Sequence, residues 1–230
     1  MNMKRKIQPI EPEEKVKKIV GVCVDGLPFF LFFFSLAVVL AFESLEYASI
    51  PGFLSLFVLW FFRDPDRTVP EELDVLVSPA DGRVIEVKAD QRTPLGPIPM
   101  KRISIFLSIF NVHVNRIPIS GTVSYLDYNR GLFVSAFREK ASLDNEQMRI
   151  GIDSSKGRIL MVQIAGWIAR RIVCRLEEKE KVRVGQRFGL IRFGSRVDVY
   201  VPESFEITVR KGERVRGGKS ILARPHGESS

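Results

Sequence analysis

From residue 75 onward, apolar residues keep returning at every second position, and this alternation limits the chain to a sheet-based fold. In Arg196-Val197-Asp198-Val199-Tyr200-Val201 the valines take one face of a strand. Arg196, Asp198 and Tyr200 take the other. Similar runs cover 75–77, 83–88, 102–110, 121–128, 147–152 and 158–164. Residues 91–100 hold three prolines and one glycine and read as a loop. Residues 135–145 read as a helical or mobile segment, and no long amphipathic helix interrupts the strands. The expectation is a mainly β (α+β) domain. Two pieces resemble each other, Val182-Arg183-Val184-Gly185-Gln186 and Glu213-Arg214-Val215-Arg216-Gly217-Gly218-Lys219. Pro79-Ala80-Asp81-Gly82-Arg83-Val84 opens in the same style, as in small barrel-sandwich domains.

A different pattern precedes the strands. Residues 27–42 are nearly all apolar, and 50–62 form a second apolar run ending Leu59-Trp60-Phe61-Phe62. Each is shorter than the roughly 20 residues that cross a bilayer squarely. Glu43, Glu46 and Pro51 lie between them. A hydrophobic helical hairpin fits, either spanning the bilayer or dipping into one leaflet. The run Phe29 to Phe34 is too apolar all round for a helix with a wet face. Lysines ahead of the first run put the N-terminus on the cytoplasmic side. Residues 1–20 read as a mobile end followed by a short helix. Arg63-Asp64-Pro65-Asp66-Arg67 reads as a linker, with the soluble domain starting near Leu73.

The formal net charge is +8. Such a balance attracts an anionic membrane surface or nucleic acid. With an apolar anchor present, the membrane is the better partner and no nucleic acid is expected. The two cysteines, Cys23 and Cys174, indicate neither a disulfide framework nor a Cys-rich metal site.

Histidine is scarce, so imidazole chemistry falls on His113; His226 lies in a tail expected to be disordered. His113 reads as mid-strand, with Asn111 and Asn115 on its own face. Gly194-Ser195 interrupts two strand-like runs, and glycine lets a tight bend sit there. Asp81 in Ala-Asp-Gly reads by itself as a turn former. A lone strand histidine is more often structural than catalytic. Serine, histidine and aspartate can nonetheless act as nucleophile, base and orienter. One histidine among scattered acids makes no metal-ligand cluster.

Three ordered blocks carry a family resemblance: Pro79 to Val84, Phe110-Asn111-Val112-His113-Val114-Asn115-Arg116, and Arg192-Phe193-Gly194-Ser195-Arg196-Val197-Asp198-Val199-Tyr200-Val201-Pro202. The chain resembles the phosphatidylserine decarboxylases of the short prokaryotic form, from about Phe61 to Leu222. The resemblance implies self-cleavage between Gly194 and Ser195. In it, the Ser195 hydroxyl attacks the Gly194 carbonyl and an ester replaces the peptide bond. Loss of the Ser195 α-proton eliminates the ester, and the resulting dehydroalanine hydrolyses to a pyruvoyl group. His113 is the implied base and Asp81 its orienter. A β chain, 1–194, then pairs with an α chain, 195–230.

The pyruvoyl carbonyl is the electron sink that no ordinary side chain supplies. It condenses with the amine of phosphatidylserine, carbon dioxide leaves, and phosphatidylethanolamine is released, a step of phospholipid biosynthesis. His113 is the expected proton handler here too, on the ground that an ordinary imidazole titrates near working pH. An archaetidylserine decarboxylase would share the three blocks. A membrane-anchored, lipoyl-type adaptor would explain the hairpin but not the blocks. The expected organisation is a basic segment 1–26, a membrane hairpin 27–62, a decarboxylase domain 63–222 and a flexible tail 223–230, held at the cytoplasmic face of the cell membrane.

Overall fold

The computed structural model describes residues 14–72, 74–131, 145–166, 171–192 and 194–226. Leu73, Phe193 and nearly all of the 135–145 segment lie outside the described residues.

The N-terminal helix expected within residues 1–20 is absent among the described residues; a small ladder stands at its end. Strand β1 (Lys18–Ile19) pairs with β2 (Val22–Cys23). Val20 and Gly21 between them have φ of 47° and 76°, both left-handed, as a two-residue hairpin turn requires. Helices α1 (Leu27–Ala41) and α2 (Leu45–Phe61) follow. Ser44 caps α2 by accepting the Glu46 N–H at 3.2 Å. Pro51, read as part of the connection, lies inside α2 and is buried. With its missing donor in the second turn, it interrupts a single backbone bond.

No residue of α1 is buried. Phe32, Phe42, Ile50 and Phe53 are each more than half exposed. So large an apolar surface is out of place in water. The 18 residues Val24–Ala41 are long and apolar enough to cross a membrane.

The β domain has β3 (Leu76–Val77), β4 (Gly82–Thr93), β5 (Gly96–Leu107), β6 (Val114–Arg116), β7 (Gly121–Asn129), β8 (Gln147–Ser154) and β9 (Gly157–Ile164). These are followed by β10 (Ile172–Cys174), β11 (Lys181–Val182), β12 (Arg187–Ile191), β13 (Ser195–Pro202), β14 (Phe205–Ile207), β15 (Arg214–Val215) and β16 (Ile221–Pro225). An eight-stranded antiparallel sheet runs β11-β7-β8-β9-β13-β5-β4-β15. Two three-stranded sheets, β10-β12-β6 and β14-β16-β3, complete the domain. One core joins them, with Leu76, Phe188, Ile191 and Leu222 meeting Ile105, Ile150 and Val199.

The expected loop at 91–100 is instead the far end of a long hairpin, with Thr93 paired to Gly96 and Gln91 to Met100. Pro94 lies in the turn, and Pro97 and Pro99 fall between the paired Gly96 and Met100, where the register shifts, so their missing donors interrupt no continuous ladder. The expected tail is shorter than 223–230. Ala223, Arg224 and Pro225 belong to β16, where Phe205 pairs with Pro225 and Arg224 ion-pairs with Glu72. His226 donates its backbone N–H to Ser204 at 2.7 Å.

The internal likeness has a structural counterpart. Val215 pairs with Gly82 at one end of the large sheet, and Val182 pairs with Gly121 at the other. Val84 N–H donates to Glu213 and Val123 N–H donates to Glu180, at 2.9 and 2.8 Å. Arg116 N–H donates to Pro79 at 2.8 Å, as Val77 N–H donates to Pro118 at 2.9 Å. Two similar halves are thus related by an approximate two-fold. At both ends the glycine is obligatory. A Cβ on Gly82 would meet the Phe106 carbonyl at 2.3 Å, and one on Gly121 the Asp153 carbonyl at 2.4 Å.

Candidate active site

Ser195 opens β13, which lies in the large sheet between β9 and β5. It is fully buried, and its Oγ has no hydrogen-bond partner among the described residues. Gly194 before it has φ +56°, with open space where a Cβ would stand. Glycine takes that conformation without the strain an L side chain meets. Both faces of β13 are covered, so Arg196 and Asp198 are not a wet face. Arg196 Nε and Nη2 donate to the two Asp198 oxygens at 2.6 and 2.7 Å, and Nη2 also donates to Ser104.

His113 lies just before β6 rather than mid-strand. Leu190 of β12 pairs with Val114, and Ile191 N–H donates to the His113 carbonyl at 3.3 Å. The strand leading into Gly194 is therefore tied to the histidine backbone. The imidazole packs on the Phe61 ring, 4.2 Å between centroids. Both its nitrogens are buried, with no hydrogen-bond partner among the described residues. Burial pulls its pKa from 6.5 to about 4, with the Arg63 charge acting the same way. The Asn111 backbone and the Asp81 carboxylate oppose the shift. An ordinary imidazole pKa near working pH therefore does not hold here, because water has been replaced by Phe61 and its neighbours.

The expected same-face asparagines do other work. Asn111 accepts from the Ser108 N–H and hydroxyl at 2.9 and 2.8 Å, closing the turn before His113. Asn115 accepts from Gln163 Nε2 at 2.7 Å.

Asp81 stands at the turn before β4. Arg83 pairs with Phe106, which pairs with Arg196, so two sheet spacings, about 10 Å, separate the strands of Asp81 and Ser195. Its carboxylate does not hydrogen-bond to His113. It binds Arg67 in a bidentate pair, with the Nη2 bond at 2.8 Å, and accepts the Gly217 N–H at 2.8 Å. Ser120 accepts the Val184 N–H at 3.0 Å in the other half of the repeat, so the backbone anchoring is a feature of the fold. A cavity of about 550 Å³ opens beside Asp81, Ser108, Phe110 and Asn111.

Sequence reasoning missed Phe61, Arg63 and Arg67. All three lie in or beside the stretch read as a linker. That stretch is a buried clasp: Asp64 is fully buried and ion-pairs with Arg116 at 2.9 Å and Arg187 at 2.5 Å. A second apolar cluster joins the hairpin root to the site, bringing Phe61 and Phe62 onto Val112, Val114 and Leu190. Arg192 packs over the Phe29 ring at 5.1 Å. Among the described residues no group of His, Cys, Asp and Glu could hold a metal ion.

The residues fit a serine-derived prosthetic group on two counts. A buried hydroxyl without a partner is costly in a purely structural serine. The adjoining glycine conformation leaves its carbonyl free of side-chain crowding.

The family model described as phosphatidylserine decarboxylase matches residues 54–223. A phosphatidylserine decarboxylase proenzyme of Syntrophus aciditrophicus is 46% identical over 202 residues, covering 86% of this chain and 94% of the relative. One of Chlorobium limicola is 48% identical over 172 residues, covering 75% and 81%. One of Rickettsia prowazekii is 50% identical over 177 residues, covering 75% and 77%. The match takes in the hairpin root, the Asp81 turn, His113 and the Gly194-Ser195 bend together, and the chain belongs to the phosphatidylserine decarboxylase family.

Proposed function

We propose that this enzyme cuts itself between Gly194 and Ser195 and then decarboxylates phosphatidylserine to phosphatidylethanolamine at the cytoplasmic face of the cell membrane, in phospholipid biosynthesis. The observation that carries the reading is the unpartnered, buried Ser195 hydroxyl behind a left-handed Gly194, reached from a preceding strand, β12, that is tied to the His113 backbone.

In maturation, Ser195 Oγ attacks the Gly194 carbonyl carbon. The C–N bond breaks, the Oγ–C ester forms, and the Ser195 nitrogen becomes an amine. His113, neutral because it is buried, takes the hydroxyl proton. Removal of the Ser195 α-proton then expels the Gly194 carboxylate. Water converts the resulting dehydroalanine, through its imine tautomer, to a ketone, and ammonia leaves. Asp81 acts through position: it neutralises Arg67 and holds the Gly217 turn, and its charge favours an imidazolium at His113.

The pyruvoyl group so formed supplies the carbonyl that accepts electrons when carbon dioxide leaves. His113 stays neutral in the resting site. A substrate carboxylate entering beside it stabilises the imidazolium, which readies a proton for the carbon that loses carbon dioxide. The apolar faces of α1 and α2 keep the site at the membrane surface, and we take 27–62 as the anchor and 63–222 as the catalytic domain. The segment 195–230 remains paired with 1–194, because β13 is hydrogen-bonded on both sides.

Intact mass tests the reading. A small fragment matching 195–230 with an N-terminal keto acyl group, absent from Ser195→Ala, is the expected result. A fragment beginning with an unmodified serine would sink the mechanism. A single uncleaved chain without decarboxylase activity would favour the adaptor reading.

A further inference from the structure

Arg63 stands where α2 enters the β domain, and its charge has no carboxylate partner among the described residues. Its backbone is fixed from both sides. Val22 bridges to Arg63, Cys23 N–H donates to Phe62 at 2.8 Å, and Asp64 N–H donates to Gly21 at 2.7 Å. Its Nη1 donates to the Trp60 carbonyl at 2.8 Å and its Nη2 to the Phe110 carbonyl at 2.6 Å. The guanidinium carbon lies 4.2 Å over the Trp60 ring. Both acceptors are neutral. The neighbouring carboxylate, Asp81, is taken up by Arg67 and Gly217. A guanidinium has five N–H donors in a planar fork, so three remain after the two carbonyl bonds.

The surroundings point to one kind of anion. Trp60 and Phe110 meet edge to face beside Arg63, and Phe110 is 66% exposed. They continue the exposed apolar face of α2, where Phe53 and Leu56 stand out. The imidazole of His113, packed on Phe61, is near enough to feel the Arg63 charge. A lipid whose acyl chains follow α2 would bring its head group to Arg63 and so close to His113. Arg83, Arg214 and Arg216, around the cavity beside Asp81, are exposed, and water screens them.

We infer that Arg63 binds the anionic phosphodiester of the glycerophospholipid substrate, holding the serine head group toward His113 and Ser195 while the acyl chains follow α2. The assignment rests on the lipid decarboxylase reading and adds the residue that recognises the phosphate. A fork over an aromatic ring suits a phosphate that must be both held and aimed.

The test is binding of two short-chain probes to the whole, detergent-solubilised enzyme by calorimetry. One is phosphatidylmethanol, an anionic phosphodiester; the other is its neutral dimethyl phosphotriester. Neither carries an amine, so neither is turned over. The unaltered enzyme should prefer the anionic probe by about ten-fold or more, the scale of one charge-assisted contact. Arg63→Gln should abolish the preference and Arg63→Lys should keep part of it. Circular dichroism and the thermal midpoint establish that each variant folds. If Arg63→Gln weakens both probes equally, or neither, Arg63 is not the phosphate ligand. Displacement of phosphatidylmethanol by inorganic phosphate at equal concentration would indicate a free-anion site and overturn the lipid assignment. Failure of the unaltered enzyme to release carbon dioxide from phosphatidylserine is a separate result, and it would remove the underlying reading instead.

Discussion

The amide of Ile191 donates to the carbonyl of His113 at 3.3 Å. Through that bond the last residue of β12 carries the chain past the histidine and on to Gly194. The strand that leads to the proposed scissile bond and the proposed base thus share one backbone ladder, while the imidazole itself rests on Phe61 of the hairpin.

His113 should make the enzyme acid-sensitive in a defined window. Its folded pKa is depressed from 6.5 to about 4. The unfolded chain therefore binds the extra proton first as pH falls. Stability from the neutral imidazole is complete above about 6.5 and is lost progressively toward about 4. The loss amounts to as much as about 3 kcal/mol. His113→Gln should flatten that part of the profile. Urea midpoints across the window check it; parallel profiles would mean that His113 is not buried neutral. Self-cleavage should likewise keep its rate well below the ordinary imidazole pKa.

Asp81 and Arg67 should behave as a pair. The Arg67 side chain is 9% exposed, so Asp81→Asn leaves a poorly solvated cation. A loss of about 3 kcal/mol is expected. Adding Arg67→Gln should recover part of it. The Ser120 precedent makes Asp81→Ser the substitution that keeps an acceptor for the Gly217 N–H. Additive effects in a double-mutant cycle would show that the pair is not coupled.

Beside Ser195, Asp198→Asn should cost about 3 kcal/mol, since Arg196 is then buried without its counter-charge. Replacing both residues by apolar ones, as in Arg196→Met with Asp198→Leu, should restore most of the stability. Chemical denaturation followed by tryptophan fluorescence measures both. If the double replacement is worse than the single one, the strand face needs the ion pair's geometry rather than its charge balance.

The hairpin should anchor by insertion. At about 1 M salt the screening length falls to about 3 Å, so attachment by basic charge would be lost. Retention of the protein in the membrane fraction under that wash, with release by detergent, is the expected result. Release by salt alone would assign anchoring to the basic residues.

The strand alternation and the two apolar runs were legible in the sequence because each depends on local periodicity. The Asp64 clasp was not. Charges flanking a proline look like a linker, and its partners Arg116 and Arg187 are remote in sequence. The strand reading stopped short of Pro94, Pro97 and Pro99, which hid the hairpin through 91–100; only pairing across the sheet shows that the register shifts around them. Asp81, His113 and Ser195 were legible as candidates through the motif blocks. The shifted titration of His113 was not, since it comes from Phe61, which the apolar run presented as membrane anchor alone.

The central place of β13 sets an order of events. Ser195 to Pro202 pairs with β5 along its full length, and Arg196 to Tyr200 pair with β9 on the other edge. The segment after Ser195 goes on to supply β14, β15 and β16 to two different sheets. A cut ahead of Ser195 therefore releases nothing while the fold stands. It does change what happens if the fold is lost. An intact precursor can retry folding by itself, but a severed one must find its own missing middle strand at whatever concentration the cell provides. On the proposed cleavage, a mature protein would owe its lifetime to the barrier against opening, and assembly would have to precede the cut.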